Sequence, residues 1–130
     1  MAKNTPFSDI TVLDFSRYLP GGYATQVLAD LGATVIKVED TGLGDFMRHD
    51  YPTKGGGISY YITALSRNKK SVSLNLKNEE VVDWFLKMAQ EADIIVESFR
   101  PGVTAKLGID YESIKKLNPG IIYCSISGYG

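Results

Sequence analysis

Short continuous apolar runs alternate with stretches of helical spacing along this chain. Residues Ile10–Ser16, "ITVLDFS", are β-branched and apolar enough for a buried strand. The turn-forming stretch "RYLPGGY" follows. "YATQVLADLG" then carries Ala24, Val27, Leu28 and Leu31 at helical spacing, with Gly32 as a stop signal. "ATVIKVE" (Ala33–Glu39) reads as a second strand. A strand–helix–strand unit of this kind favours parallel pairing with a right-handed crossover.

Residues 40–57 form a long irregular stretch, of the sort that is usually functional or mobile. Ile58–Leu65 reads as a short helix. In "KSVSLNLK" (Lys70–Lys77) the alternation places Val72, Leu74 and Leu76 on one face, the pattern of a half-buried strand. Asn78 can cap the helix that follows, and Glu79 and Glu80 in its first turn suit the dipole. Val81, Val82, Phe85, Leu86, Met88 and Ala89 form its core face. "DIIVES" is a fourth strand, "YESIKKLN" (Tyr111–Asn118) a short helix ended by Pro119 and Gly120, and Ile121 begins a fifth strand. Strands alternating with helices predict an α/β domain with a mainly parallel sheet.

Composition narrows the function classes. The chain has 130 residues, 44% hydrophobic and 22% charged, so one globular domain is expected. Fourteen basic and fifteen acidic side chains leave no global field for nucleic acid or an anionic membrane. No stretch approaches the length of a transmembrane helix, and "MAKNTPFSDI" lacks a signal-peptide core, so the cytoplasm is the expected compartment. The one cysteine, Cys124, lies in an apolar strand and reads as a structural thiol. The one histidine, His49, has no second metal ligand at motif spacing and reads as a surface residue; no metal is expected.

Several residues could carry chemistry. Gly21, Gly22 and Glu39 invite a dinucleotide reading, but the G-x-G-x-x-G spacing is missing and Pro20 occupies the start of the phosphate turn. The alternative is that the glycines permit a turn and a close helix approach. "SRNKKS", with Arg67, Lys69 and Lys70, is either a solvated turn or an anion site. In "ESFRPGVTAK", Phe99 is either a core residue folded back or a flat face for an adenine ring, with Arg100 beside it and Pro101-Gly102 fixing the turn. Asp14 and Asp45 are acids with no base or metal beside them in sequence.

Together these stretches resemble the class III CoA-transferases, the formyl-CoA, carnitine-CoA and bile-acid CoA-transferase type. The matching pieces are "VLDFSRYLPGGYATQVLADLGATVIKVE", "GDFMR", "RNKKSVSLNLK" and "ADIIVESFRPGVTAKLGIDYESIKKLNPGIIYCSISGYG". The resemblance implies a Rossmann-like domain spanning residues 1–130 that binds coenzyme A at the carboxyl ends of its strands. It implies CoA contacts at Tyr18, Leu19 and Pro20, at Leu74, Asn75 and Lys77, at Ser98, Phe99 and Arg100, and at Lys106. Ser98 stands where asparagine is common, and Asp40 where some members carry a basic residue. The substrates implied are an acyl-CoA and a carboxylic acid, and the complete enzyme implied is an interlaced homodimer. The family's nucleophilic aspartate lies beyond Gly130, as do its small domain and return segment. The chain is therefore expected to be an N-terminal fragment that binds CoA without turning it over. The alternatives are a non-catalytic α/β binding module and an NAD-binding domain.

Overall fold

The computed structural model describes residues 5–49 and 59–129. Strands β1 (Thr11–Phe15), β2 (Thr34–Glu39), β3 (Lys69–Ser73), β4 (Ile94–Glu97) and β5 (Ile122–Ser125) form one sheet in the order β3-β2-β1-β4-β5. Every neighbouring pair is parallel. Helices α1 (Tyr18–Asp30), α2 (Tyr60–Leu65), α3 (Glu79–Glu91), α4 (Val103–Lys106) and α5 (Tyr111–Leu117) occupy the connections. The expected α/β architecture is thus present. β1 is central because both its faces are covered, as a continuous apolar run requires. Leu13 and Phe15 pack with Phe85, Ala89, Ile95 and Ile114 on the α3–α5 side. Val12 packs with Ala29, Ala33, Val35 and Val96 on the α1 side.

The β1–α1 connection differs from the sequence expectation. The helix begins at Tyr18, so "YLPGG" is its first turn and a half rather than a loop. Pro20 is tolerated there because the first N–H groups of a helix have no partner to lose. Gly21 is demanded by proximity: a Cβ on it would lie 2.1 Å from the Ser16 Cβ. The residues α1 buries are Gly21, Gly22, Thr25, Gln26 and Ala29. Val27 and Leu31, apolar at helical spacing, are 38% and 39% exposed, and Ala24 is exposed as well. The small and polar face turns inward because it reaches a buried carboxylate on β1.

Elsewhere the elements follow their signals. The Asn78 Oδ1 accepts a hydrogen bond from the Glu80 N–H at 2.9 Å and caps α3, whose Phe85 and Ala89 are fully buried. β3 ends at Ser73, yet Leu74 and Leu76 still pack against the core with Val72. The short α4 lacks a sequence signal of its own; Gly102, at φ +81°, turns the chain into it. Cys124 is exposed, against the expectation of a buried thiol. Its strand is the outermost one, and Ile122 on the same strand is also exposed. Of the irregular stretch 40–57, residues 40–49 are described and contain one 3-10 turn, Phe46–Arg48; residues 50–57 lie outside the described residues.

Candidate functional site

The sheet order reverses at β1: β2 and β3 lie to one side, β4 and β5 to the other. In parallel α/β sheets the crevice beyond the carboxyl ends at such a point is where ligands bind. A cavity of about 300 Å³ opens at these strand ends. Phe15, Val38, Leu74, Phe99 and Leu107 give it apolar walls, and Arg17, Glu39, Asp40, Asn75 and Lys77 give it polar ones. Four of the residues singled out in the sequence, Leu74, Asn75, Lys77 and Phe99, therefore meet around one space. Lys106 borders an adjoining depression that shares Leu76, Lys77 and Leu107 with it.

The other five do not line the cavity. Tyr18, Leu19 and Pro20 are exposed on the first turn of α1. Arg100 is exposed in the loop after β4. Ser98 spends its hydroxyl on the fold, accepting from the Arg17 N–H at 2.8 Å. The two readings of Phe99 are compatible: its ring packs against the core cluster, 6.3 Å from the Phe15 ring, and also lines the cavity.

Beneath the cavity lies a charged network that sequence reading left unpaired. Asp14, fully buried, accepts from the Ser16 N–H and hydroxyl, from the Thr25 hydroxyl at 2.6 Å and from the Lys69 ammonium at 3.0 Å. Burial lowers the Lys69 pKa, opposed by the charge of Asp14. Lys37 donates to the Ser16 carbonyl at 2.9 Å and pairs with Asp45 at 2.8 Å, tying the end of β1 to the loop after β2. The Asp45 carboxylate also accepts from the Met47 N–H and caps the 3-10 turn. Such pairs are costly to bury but costlier to break, so they fix the loops around the site.

Two anion- or ribose-binding readings fail on this geometry. Glu39, the acid a dinucleotide would need, takes both nitrogens of the Arg48 fork, the Asp45 N–H and the Ser71 hydroxyl. Burial pushes its pKa up, but these donors outweigh burial and hold it at about 2. Its acceptor sites are occupied. In "SRNKKS", Arg67 forks onto Asp30, Asn68 donates to the same carboxylate at 2.8 Å, and Lys69 is inside the network. Arg67 and Asn68 thus clamp the end of α1 and Lys69 is engaged inside, which leaves Lys70 as the exposed cation of the stretch outside these pairs. His49 is exposed, its Nε2 3.0 Å from the Leu43 carbonyl, and no group of three metal-ligating side chains occurs among the described residues. No helix among them is long and apolar enough to cross a membrane.

Sequence reasoning missed Phe15, Arg17, Val38, Leu76, Val103 and Leu107 as lining residues, and singled out Asp40 without claiming a contact for it. Arg17 had a signal, its place immediately after the first strand of a strand–helix–strand unit. Val103 in α4 and Leu107 just after it had none.

Comparison with known proteins gives concordant results. A family model described as CoA-transferase family III matches residues 7–130. An acetyl-CoA:oxalate CoA-transferase of Acetobacter aceti is 44% identical over 125 residues, covering 96% of this chain and 32% of that protein. A succinyl-CoA:glutarate CoA-transferase of Homo sapiens is 43% identical over 125 residues, covering 96% of this chain and 28% of that protein. The chain thus spans about a third or less of these relatives' length. The crystal structure of a CAIB/BAIF family protein from Brucella suis superposes with a TM-score of 0.91 at 39% identity, over 98% of this chain and 35% of that one. A hypothetical protein from Mycobacterium tuberculosis superposes with a TM-score of 0.88 at 39% identity, over 97% and 34%.

Proposed function

The chain belongs to CoA-transferase family III, and we propose that it is the coenzyme A-binding part of an enzyme that moves CoA from an acyl-CoA thioester to a carboxylic acid. The observation that carries this reading is the cavity at the sheet reversal. Its apolar walls, with the Phe99 ring among them, suit an adenine, and its polar walls include the cation Lys77 for a phosphate. In this reading Leu74, Asn75 and Phe99 hold the base, while Lys77 and Lys106, on adjoining depressions, face phosphates. Tyr18, Leu19, Pro20, Ser98 and Arg100 meet the ligand outside the cavity. The names of the two relatives each pair an acyl-CoA with a small dicarboxylate, which supports a carboxylic acid as acceptor.

The transfer step falls to a carboxylate outside these residues. That carboxylate attacks the donor thioester and expels the CoA thiolate, giving a mixed anhydride. The thiolate then attacks the enzyme's side of the anhydride, releasing the donor acid and leaving an enzyme–CoA thioester. The acceptor acid repeats both steps in reverse order. Asp14 and Asp45 are unsuited to this role, because each is 3% exposed or less and held by a lysine. We place the complete enzyme in the cytoplasm as an interlaced homodimer. The exposed row Leu19, Tyr23, Val27 and Leu31 on α1 is a surface for the rest of that assembly to cover.

Titration of the chain with CoA, read by amide chemical shifts, tests the site. Shifts are expected at residues 74–77, Phe99 and Lys106, together with an unmodified intact mass after incubation with an acyl-CoA and a hydroxylamine trap. Perturbations that miss the cavity would refute the site, and a trapped adduct on this chain would refute the assignment of the nucleophile.

A further inference from the structure

Arg17 stands directly after β1, where the strand order reverses, and lines the cavity. Its guanidinium carbon is 4.8 Å from the centroid of the Phe46 ring and 5.7 Å from that of Phe99. One ring comes from the loop after β2, the other from the loop after β4, so the cation is flanked across the crevice. Contacts to ring faces use no hydrogen-bond donors, and a guanidinium has five in one plane. Among the described residues its side chain makes no ion pair and no hydrogen bond. No carboxylate among the described residues lies within ion-pairing distance of it. Glu39 is saturated by Arg48, the Asp45 N–H and Ser71. Asp40 is exposed and accepts from the Gly42 N–H.

The backbone of Arg17 is fixed as firmly as its side chain is unpaired. Its N–H is held by Ser98, and the preceding carbonyl, that of Ser16, is held by the buried Lys37 ammonium. A cation at this position also has the wrong sign for the N-terminus of α1, whose first turn carries no acidic residue. The fold therefore places, on a fixed backbone, a cation with no ion-pair partner among the described residues in the wall of a cavity that has both apolar and polar sides.

We infer that Arg17 is a phosphate-recognising residue of this cavity, its planar fork meeting the diphosphate of a bound adenine nucleotide. A fork of this shape matches two phosphate oxygens at once, and the apolar walls of the cavity of about 300 Å³ accommodate the base beside it. The inference deepens the coenzyme reading of the same site and rests on it for the identity of the natural ligand. The test is chosen to separate the two.

The 130-residue chain is titrated calorimetrically with ADP, adenosine and CoA, as wild type, Arg17→Ala and Arg17→Lys, with melting curves to confirm folding. ADP should bind more tightly than adenosine to the wild type. Arg17→Ala should weaken ADP roughly tenfold or more while leaving adenosine unchanged, since a charge-assisted pair of this kind is lost. Arg17→Lys should fall between. Equal losses for ADP and adenosine would show that Arg17 merely shapes the cavity and would overturn the inference. So would equal affinities of the two ligands for the wild type, or displacement of ADP from the wild type but not from Arg17→Ala by oxalate, which would assign the fork to a carboxylate. If ADP behaves as expected but CoA does not compete with it, the coenzyme reading fails and the role of Arg17 stands.

Discussion

Two adjacent alanine substitutions, at Gly21 and at Gly22, should change stability in opposite directions. Both sites lie within α1, where alanine is intrinsically better than glycine by about 0.8–1 kcal/mol. At Gly22 the new Cβ would meet Leu65 at 3.5 and 3.6 Å, ordinary contact, so most of that gain should survive. At Gly21 it would lie 2.1 Å from the Ser16 Cβ and 2.4 Å from its Oγ. Carbon atoms settle about 3.5–4.0 Å apart, so helix and strand end must separate by roughly 1.5 Å. Ser16 cannot simply rotate, because its hydroxyl and N–H both bond the buried Asp14. Overpacking costs about 1–3 kcal/mol, and a weakened bond to a charged group adds about 1.5–3 kcal/mol if Ser16 turns. After subtracting the helix gain, Gly21→Ala should lose up to about 2 kcal/mol if Ser16 stays in place and about 1.5–5 kcal/mol if it turns, and Gly22→Ala should gain up to about 1 kcal/mol. Urea unfolding followed by circular dichroism measures both, provided the slope with denaturant is unchanged. A Gly21→Ala protein as stable as the wild type would refute the close approach of α1 to β1.

Two further outcomes follow from the buried charges. Asp14→Asn should destabilise by about 3–5 kcal/mol, because it leaves the Lys69 ammonium buried and unpaired, and a second substitution, Lys69→Met, should recover part of that loss in a double-mutant cycle; additive losses would argue against the pair. Glu39 has a folded pKa of about 2 against a reference of 4.5, so its stabilisation is fully present above about pH 4.5 and is lost as pH falls towards 2. Because Arg48 is 38% exposed, solvent screening limits this to about 1–2 kcal/mol, and Glu39→Gln should flatten the acid limb of a stability–pH curve; an unchanged limb would show the pairing to be inert.

The strands were legible because their signals are local. "VLDF" and "DIIV" are apolar runs whatever surrounds them, and Asn78 caps α3 through a bond only two residues long. The inward face of α1 was not legible. Thr25 is buried because it donates to Asp14, eleven residues away, and Lys69 joins them from 55 residues away. No window on the sequence contains all three. Gly21 and Gly22 read as a turn because glycine signals a bend and a close approach with the same letter. Cys124 looked buried because the apolar run of an outer strand resembles that of an inner one until the topology is known. That Leu74, Asn75 and Lys77 share one cavity was legible only through the family resemblance, whereas the flat ring of Phe99 beside the Pro101-Gly102 turn stood out in the sequence itself. For Arg17 the place after the first strand was legible, but its two aromatic neighbours were not, because they come from loops about 30 and 80 residues later in the chain.

The all-parallel sheet also has a consequence in time. It contains no hairpin, so no two strands can zip together from a tight turn. β1 is made first and pairs with β2 across one helix, but its other partner, β4, begins about 80 residues later. Closing so long a loop before any contact rewards it makes such pairings slow. During synthesis the opposite edge of β1 therefore waits with its backbone groups unpaired, and the crevice between β1 and β4 does not exist while it waits. A nucleotide bound in that crevice, as proposed above, would recognise only chains that have completed the β1–β4 pairing, and would stabilise them against reopening by mass action. A nucleotide bound there as proposed should therefore slow unfolding more than it speeds folding.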